Sequence, residues 1–288
     1  MNKTTNIVAT HIVNGFASAI RHPLVVGVSG PQGSGKTTLT TSLVQILKNN
    51  HNLRAVSFSL DDLYLTFADQ IKLRDANPNN PLLEFRGNPG THDLDLGLAV
   101  FHSLTTNTTK TTKIPKYEKA LNSGRGDRLN ETEWTDAELP IDIILFEGWC
   151  LGFKPVLDQK TIKMRVLDSR FGPDFAKFTL ENLLVVQNHL AKLDVLHKSI
   201  DSFVHICAED IGFVYDWRQQ QEDYMRETLG NPSAGLSTIE LRDFISRFMP
   251  QYLIGLPELD NGFFEKHNGR HLKITIDKNR DVVSSETF

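Results

Sequence analysis

The sequence contains few cysteines, no long apolar run and, at its beginning, no acidic residue. Its two cysteines, Cys150 and Cys207, each lie among apolar neighbours, so we expect two buried free thiols and no disulfide framework. No stretch approaches the ~18 consecutive apolar residues that a membrane span requires. We therefore expect a cytoplasmic protein, with the nucleus as a second location, and no membrane partner.

The first 60 residues contain five Lys or Arg and no Asp or Glu. The rest of the chain contains 26 basic and 35 acidic residues, so the formal net charge of −4 averages two unlike regions. This net charge and the lack of a contiguous basic stripe argue against a nucleic-acid partner. The acid-free beginning instead indicates a region whose positive potential suits an anionic ligand.

Short apolar runs alternate with helical patterns, which predicts an α/β fold with a doubly wound, mainly parallel sheet flanked by helices. The predicted strands cover 24–29, 54–60, 141–146, 202–207 and, as a final edge strand, 271–276. The predicted helices cover 66–76, 94–104, 181–197 and 212–229, with one more on the pattern of Leu39, Leu43, Ile46 and Leu47. Ser237 and Glu240 form a capping box before a further helix that ends at Pro250.

Polar segments interrupt this alternation in the middle of the chain. Residues 105–113 are predicted to form an exposed turn, and residues 116–139 a loop. The length suggests one or two domains at about 150 residues each, and the sequence has neither an internal repeat nor a clean linker. We therefore expect one domain over 1–288, in which 66–139 is a loop-rich insertion and about 209–255 forms a helical lid and C-terminal helices.

Residues 30–37 match the phosphate-binding pattern G-x-x-x-x-G-K-[ST] in full, between a predicted buried strand and a predicted helix. The glycines let backbone N–H groups face phosphate oxygens, and the helix N-terminus adds positive potential. Lys36 is expected to reach the β- and γ-phosphates, and the Thr37 hydroxyl to ligate Mg²⁺. The expected nucleotide-binding residues are Gly30, Pro31, Gln32, Gly33, Ser34, Gly35, Lys36, Thr37 and Thr38. The fold class is therefore of the P-loop NTPase type.

Three carboxylates follow predicted strands. Asp61 and Asp62 end the second strand and Glu147 ends the strand at 141–146, so each is expected to face the same crevice as Lys36. A carboxylate there can orient or deprotonate an attacking hydroxyl, or hold Mg²⁺. The alternative for the Asp pair is a turn or a helix N-cap, and for Glu147 a structural contact at a strand end.

The segment 116–128 contains four basic residues around two glycines, namely Lys116, Lys119, Arg125 and Arg128. Positive charge on a flexible loop suits an anionic acceptor, such as a small carboxylic acid or a phosphate ester. The alternative is a solvated loop. On the predicted helix at 212–229, Arg218 and Glu222 are four residues apart, which is also the spacing of a simple surface ion pair.

Five short segments occur in a fixed order: SLDDLYLT at 59–66, GNPGTHD at 87–93, PKY at 115–117, GRGDR at 124–128 and FEGW at 146–149. This combination resembles the glycerate 3-kinase-like proteins of the uridine kinase, phosphoribulokinase and pantothenate kinase superfamily, especially fungal ATP-dependent kinases of unsettled substrate. The resemblance runs from about residue 24 to 255. Leu63 and Glu118 depart from it, since Phe and Asp are commoner there, and both departures concern the identity of the acceptor.

The resemblance implies a kinase that transfers the γ-phosphoryl group of Mg·ATP to a hydroxyl of a small anionic metabolite, with glycerate as the leading candidate. It implies that Asp61 handles the acceptor hydroxyl, that Glu147 lies near Mg²⁺, and that Arg218 lies on a lid over the triphosphate. The implied acceptor residues are Asp62, Tyr64, Arg86, His92, Asp93, Lys116, Tyr117, Arg125 and Arg128. A nucleoside- or pantothenate-type kinase and a regulatory ATP-binding protein stay open as alternatives. The sequence indicates no oligomeric state.

Overall fold

The computed structural model describes residues 3–106, 109–231, 234–265 and 268–288. Its strands are β1 (Leu24–Ser29), β2 (Ala55–Ser59), β3 (Thr111–Ile114), β4 (Tyr117–Glu118), β5 (Asp127–Arg128), β6 (Thr135–Glu138), β7 (Ile143–Gly148), β8 (Ser202–Ala208), β9 (His271–Ile276) and β10 (Val282–Thr287). Its α-helices are α1 (Lys3–Ala17), α2 (Lys36–His51), α3 (Phe67–Ala76), α4 (Leu94–Thr105), α5 (Gln159–Ile162), α6 (Leu180–Lys192), α7 (Asp194–His197), α8 (Phe213–Leu229), α9 (Thr238–Ser246) and α10 (Met249–Leu259).

The central sheet has the strand order β10-β9-β8-β1-β7-β2. β1 runs parallel to both β7 and β8, β2 is parallel to β7, and β9 is parallel to β8. β1 and β7 are buried along their whole length, as their continuous apolar sequences predict for strands covered on both faces. The predicted doubly wound, mainly parallel sheet is confirmed.

Helices cover both faces of this sheet. On one face, α1 and α2 bury Val8, Ile12, Leu43 and Leu47 against strand residues. The core of the other face contains residues of β2, β7, α4, α6 and α10, among them Phe146. The packing on both faces fixes the sheet, and the predicted site residues lie at the carboxyl ends of β1, β2 and β7.

Helix α1 was not predicted from the sequence. Its Thr- and Asn-rich sequence weakens the apolar pattern, yet Val8 and Ile12 are fully buried and Thr4 and Thr5 are also buried. The helix packs beside α2 and contacts β1, β8 and β9. The beginning of the chain is therefore part of the domain core.

Three predictions about secondary structure were wrong. The strand at 271–276 is not the edge of the sheet, because β10 pairs antiparallel with it. Residues 105–113 and 116–139 are not simply turn and loop, because β3 pairs with β6 and β4 pairs with β5 there; residues 107 and 108 lie outside the described residues. These strands are two to four residues long, too short for a detectable alternation.

The predicted capping box is confirmed, since the Ser237 hydroxyl accepts from the Glu240 backbone and Glu240 accepts from the Ser237 backbone. However, α9 ends at Ser246, and Pro250 lies in the first turn of α10, where a residue without an N–H is tolerated. Both cysteines are free, as predicted, and Cys150 is fully buried, but Cys207 is only partly buried, contrary to the prediction of two buried thiols. Within the described ranges, no helix combines the length and apolarity needed to cross a bilayer.

Candidate active site

The phosphate-binding loop connects β1 to α2 and is held in place by contacts from distant parts of the chain. Gly33 has φ of 80°, and a Cβ there would lie 2.6 Å from the Cβ of Trp217 on α8. The Gln32 backbone N–H donates to the Tyr252 hydroxyl at 2.9 Å, and the Arg280 Nε donates to the Gly33 carbonyl at 2.8 Å. Only glycine satisfies both the positive φ and the close approach of α8 at position 33.

Lys36 begins α2 behind this loop. Its Nζ donates to the Pro31 carbonyl at 3.0 Å, across the loop. Burial lowers the pKa of Lys36, while the carboxylates of Glu147 and Asp61 act to raise it. The buried ammonium group therefore lies where the loop meets Asp61, the predicted catalytic carboxylate, and Glu147, the predicted metal ligand.

Thr37 and Glu147 lie together because β1 and β7 are neighbours, with Val28 opposite Glu147 in the register. The Thr37 Oγ1 donates to the Glu147 Oε1 at 2.9 Å. Two adjacent oxygen ligands of an octahedral Mg²⁺, each about 2.1 Å from the ion, lie about 3 Å apart. The hydroxyl and the carboxylate oxygen therefore fit the predicted metal site. The described residues contain no cluster of three or more His, Cys, Asp or Glu that could hold a metal.

Asp61 and Asp62 lie in a short 3₁₀ helix, Leu60–Leu63, that follows β2. The Asp62 Oδ2 accepts from the Ser59 backbone N–H at 2.9 Å and so completes a capping box. Burial raises the pKa of Asp62 to about 6. The alternative interpretation, a helix cap, is therefore the observed role of Asp62.

The Asp61 carboxylate has a polar environment on both oxygens. Its Oδ1 accepts from the Tyr64 hydroxyl at 2.7 Å, and its Oδ2 lies 2.6 Å from the Lys119 Nζ. Burial acts to raise the pKa of Asp61, but Lys119, Tyr64 and His92 hold it below its ordinary value. Asp61 therefore stays ionised at neutral pH and is positioned to accept a hydrogen bond from a hydroxyl.

His92 stacks on Tyr64 with 4.8 Å between ring centroids, and Tyr117 meets Tyr64 edge-on at 5.3 Å. His92 is buried, and neither of its ring nitrogens hydrogen-bonds to a described residue. Burial lowers the pKa of His92 to about 4, although Asp61 acts to raise it. The aromatic cluster thus places a neutral imidazole beside Asp61.

Two of the predicted acceptor residues tie the insertion to this cluster. The Arg128 Nη2 donates to the Tyr64 carbonyl at 2.8 Å and to the Asp93 Oδ2 at 3.0 Å. Asp93 also caps α4 through the Leu96 backbone N–H at 3.0 Å. Arg128 and Asp93 therefore lie next to the site and support its walls.

The other basic residues of the prediction are more dispersed. The Arg86 guanidinium donates to backbone carbonyls of Lys119, Gly124 and Arg125. The Arg125 guanidinium lies 4.9 Å from the centroid of the Phe85 ring, and the Lys116 side chain is exposed. The structure therefore brings Lys36, Thr37, Asp61 and Glu147 together, whereas it does not bring Lys116 into contact with them.

Comparison with known proteins assigns the chain to a family. The sequence profile described as the phosphoribulokinase/uridine kinase family matches residues 25–165. An uncharacterised kinase of Schizosaccharomyces pombe is 37% identical over 265 residues, which cover 91% of this chain and 90% of the yeast protein. The chain belongs to the phosphoribulokinase/uridine kinase family.

Two further proteins that resemble this chain are named D-glycerate 3-kinases. The chloroplastic enzyme of Arabidopsis thaliana is 40% identical over 268 residues, which cover 91% of this chain but only 54% of the plant protein. The solved structure of the enzyme from Cryptococcus neoformans superposes with a TM-score of 0.88 at 32% identity, over the whole of both chains. These similarities confirm the predicted ATP-dependent kinase of small molecules and its P-loop fold.

Arg218 occupies an unexpected environment for a residue predicted to cover the triphosphate. It lies on α8, where its Nη2 is 3.1 Å from the Glu222 Oε1 and its guanidinium lies 5.6 Å from the centroid of the Phe244 ring. Burial lowers the pKa of Arg218, opposed by the charges of Glu222 and Tyr252. The predicted pair with Glu222 is present, and it is largely buried rather than a surface pair.

Sequence reasoning missed two residues that contact the site, Tyr252 as the partner of Gln32 and Arg280 as the partner of Gly33. It named Lys119 as a basic residue of the insertion but did not pair it with Asp61. Arg280 also lines a cleft of about 940 Å³ beside the phosphate-binding loop. Other residues of its wall include Ser34, Thr38, Thr5, Gln221 and Ile276. Lys119 carried a detectable signal as part of a basic segment, whereas nothing in the sequence around Arg280 distinguishes it.

Proposed function

We propose that this protein phosphorylates D-glycerate, using the γ-phosphoryl group of Mg·ATP and a hydroxyl of the acid. The observation that carries this proposal is an ionised carboxylate, Asp61, which lies beside the phosphate-binding loop and is paired with an ammonium group. That arrangement suits an acceptor with one hydroxyl to activate and one negative charge to bind. The similarity to two D-glycerate 3-kinases, over 91% and 100% of this chain, supports the same acceptor.

On the donor side, the backbone N–H groups of residues 30–37 and the Lys36 ammonium would bind the phosphates of ATP. Thr37 and Glu147 would hold Mg²⁺, whose charge offsets the negative charge of the phosphate oxygens. The cleft beside the loop, lined by Ser34, Thr38 and Arg280, supports binding of the nucleoside part there. Most of the rate enhancement is then positioning and electrostatic stabilisation.

On the acceptor side, Asp61 orients the hydroxyl and receives its proton as the hydroxyl oxygen bonds to the γ-phosphorus and the bond from the γ-phosphorus to the β–γ bridging oxygen breaks, which releases ADP. Asp62 is the weaker candidate for that role because its Oδ2 accepts from the Ser59 backbone N–H and so caps the 3₁₀ helix. His92 and Tyr64 form the wall next to Asp61. Of the other predicted acceptor residues, Arg86, Arg125 and Arg128 shape the surrounding insertion.

We further propose that the chain is one kinase domain, in which residues 66–139 supply the acceptor site and about 209–255 act as the lid. The contacts of Arg86, His92 and Arg128 with the surroundings of Asp61 support the first assignment. The contact of Trp217 with the phosphate-binding loop supports the second. Neither substrate requires a nucleic-acid or membrane partner, and the cytoplasm is the expected compartment.

An acceptor panel tests the proposed function. Purified protein is mixed with ATP and Mg²⁺, and ADP release is followed with D-glycerate, uridine, pantothenate or no acceptor. D-glycerate is expected to raise the rate by about 10-fold or more over the rate without acceptor. Stimulation by uridine or pantothenate would instead establish another acceptor class. ATP binding without stimulation by any acceptor would identify a regulatory ATP-binding protein.

A further inference from the structure

Each oxygen of the Asp61 carboxylate already accepts one hydrogen bond, so the access of an incoming hydroxyl depends on how firmly each donor is held. Tyr64, on Oδ1, is only 4% exposed and is stacked against His92 and Tyr117, so it is fixed by packing. Lys119, on Oδ2, has a side chain that is 58% exposed. The ammonium group of Lys119 is therefore the donor that can move.

The backbone at Lys119 is anchored while its side chain is free to move. Lys119 directly follows β4, which pairs with β5, and its carbonyl accepts from the Arg86 Nη2 at 3.4 Å. Arg86 also donates to the Gly124 carbonyl at 2.8 Å and lies 5.6 Å from the centroid of the Tyr117 ring. The guanidinium group of Arg86 therefore donates to backbone carbonyls of the segment 116–128. Lys119 is the basic residue of this segment whose charged group contacts Asp61.

The charge balance around Asp61 makes this displacement dependent on the acceptor. A neutral alcohol that takes the place of Lys119 separates an ion pair and offers no new partner for the ammonium group. An acceptor with its own carboxylate restores the pair, because a lysine side chain is a flexible stem that ends in a point charge. Glycerate carries its carboxylate within one intervening carbon of the carbon that bears the terminal hydroxyl.

We propose that Lys119 is the specificity residue for an anionic acceptor and that it acts by exchanging partners. Its ammonium group leaves the Asp61 carboxylate as the acceptor hydroxyl arrives, and it then binds the carboxylate of the acceptor. This inference rests on the proposed function and adds to it the residue that recognises the acid group. It also explains why a lysine on an exposed loop contacts the candidate base directly.

Kinetics with two acceptors test the exchange. Lys119→Met is compared with the wild type on D-glycerate and on glycerol, which has the same carbon skeleton without the carboxylate. For D-glycerate, kcat/KM is expected to fall by about 10-fold to 100-fold, mainly through KM, which is the range of a hydrogen bond to a charged group. For glycerol, kcat/KM is expected to stay level or rise, because no ion pair has to be separated. The KM for ATP is expected to stay unchanged.

Two further variants define the outcome. Lys110→Met removes an exposed lysine from the same insertion and is expected to keep the wild-type ratio between the two acceptors. Lys119→Arg, which keeps the charge, is expected to recover part of the preference for D-glycerate. If Lys119→Met lowers kcat/KM by the same factor on both acceptors, so that their ratio is unchanged, the assignment of Lys119 alone is overturned. A wild-type protein that shows no turnover with D-glycerate would overturn the proposed function and this assignment together.

Discussion

Adjacent aspartates show how strongly surroundings determine the chemistry of a side chain. Asp61 and Asp62 are neighbours in the sequence, yet their surroundings differ. The Asp62 carboxylate is buried and accepts from a backbone N–H, whereas the Asp61 carboxylate accepts from the ammonium group of Lys119 and the phenol of Tyr64. The pKa of Asp62 is raised to about 6, whereas that of Asp61 is held below its ordinary value. The Asp61 carboxylate therefore contacts side chains of the candidate site, whereas the Asp62 carboxylate contacts the backbone at the cap of its own helix.

Substitution by asparagine separates the two roles. Asp61→Asn is expected to lower the turnover number for D-glycerate by about 10²-fold to 10⁴-fold, the usual contribution of a general base, with ATP affinity unchanged. Asp62→Asn is expected to keep most of the turnover, because an amide oxygen still accepts from the Ser59 N–H. Steady-state kinetics and calorimetric titration with ATP measure both effects. Equal losses in the two variants would contradict the separation.

At the scale of residues, local pattern explains what the sequence could predict. The phosphate-binding residues, Asp61 and Glu147 were predictable because a motif or a strand end identifies each of them within a few positions. The partners were not, because Gln32 and Tyr252 are 220 residues apart, and Asp61 and Lys119 are 58 apart. Such contacts depend on the folded topology, which no local spacing encodes.

At the scale of elements, α8 is packed directly onto the phosphate-binding loop. The contact is so close that Gly33 has no room for a side chain, since a Cβ at this position would lie 2.6 Å from the Trp217 Cβ. Trp217 is itself fully buried, and its Nε1 donates to the Lys278 carbonyl at 2.7 Å. The helix therefore fixes the loop from outside.

Gly33→Ala is expected to weaken ATP binding by about 10-fold or more, because the added methyl group pushes the loop away from α8 and disturbs its N–H groups. The positive φ adds a stability cost of about 1 kcal/mol. Gly230→Ala is the matched control, since Gly230 also has a positive φ, of 58°, but no described atom within 4 Å of its added Cβ. It is expected to lose similar stability and to keep its ATP affinity, as thermal denaturation and calorimetric titration would measure. Similar ATP affinities in both variants would contradict the steric argument.

The elements also show where sequence patterns stop being informative. Five of the six strands of the central sheet were predictable, and β1, β7 and β8 most clearly so, because they are apolar along most of their length, whereas β10 was missed. The pairs β3–β6 and β4–β5 were not, since they form from short, largely polar segments within the insertion. α1 was missed because its buried face includes threonines as well as apolar residues.

At the scale of the whole molecule, buried histidines make stability depend on pH. Burial lowers the pKa of His92 and His197 to about 4 and that of His205 to about 3, whereas an unfolded histidine titrates near 6.5. Because the unfolded chain takes up these protons first, the stability is fully present above about pH 6.5 and is lost as the pH falls. At about pH 5 each of the three histidines contributes a loss of about 2 kcal/mol.

Urea unfolding measures this loss. The free energy of unfolding is expected to fall by roughly 5 kcal/mol between about pH 7.5 and pH 5, because the raised pKa of Asp62 acts in the opposite direction by a smaller amount. His205→Asn is expected to reduce the fall by about 2 kcal/mol, whereas His102→Asn, on an exposed residue, leaves it unchanged. A fall of the same size in all three proteins would rule out His205 as a source.

The hydrogen bond between Arg280 and Gly33 has a consequence for the nascent chain during translation. The two residues are 247 positions apart, so the phosphate-binding loop leaves the ribosome long before the residue that braces it. At the usual rate of about 5–20 residues per second, the delay is roughly 12–50 seconds. During translation the loop therefore lacks this brace, and the finished nucleotide site is among the last features of the protein to be assembled.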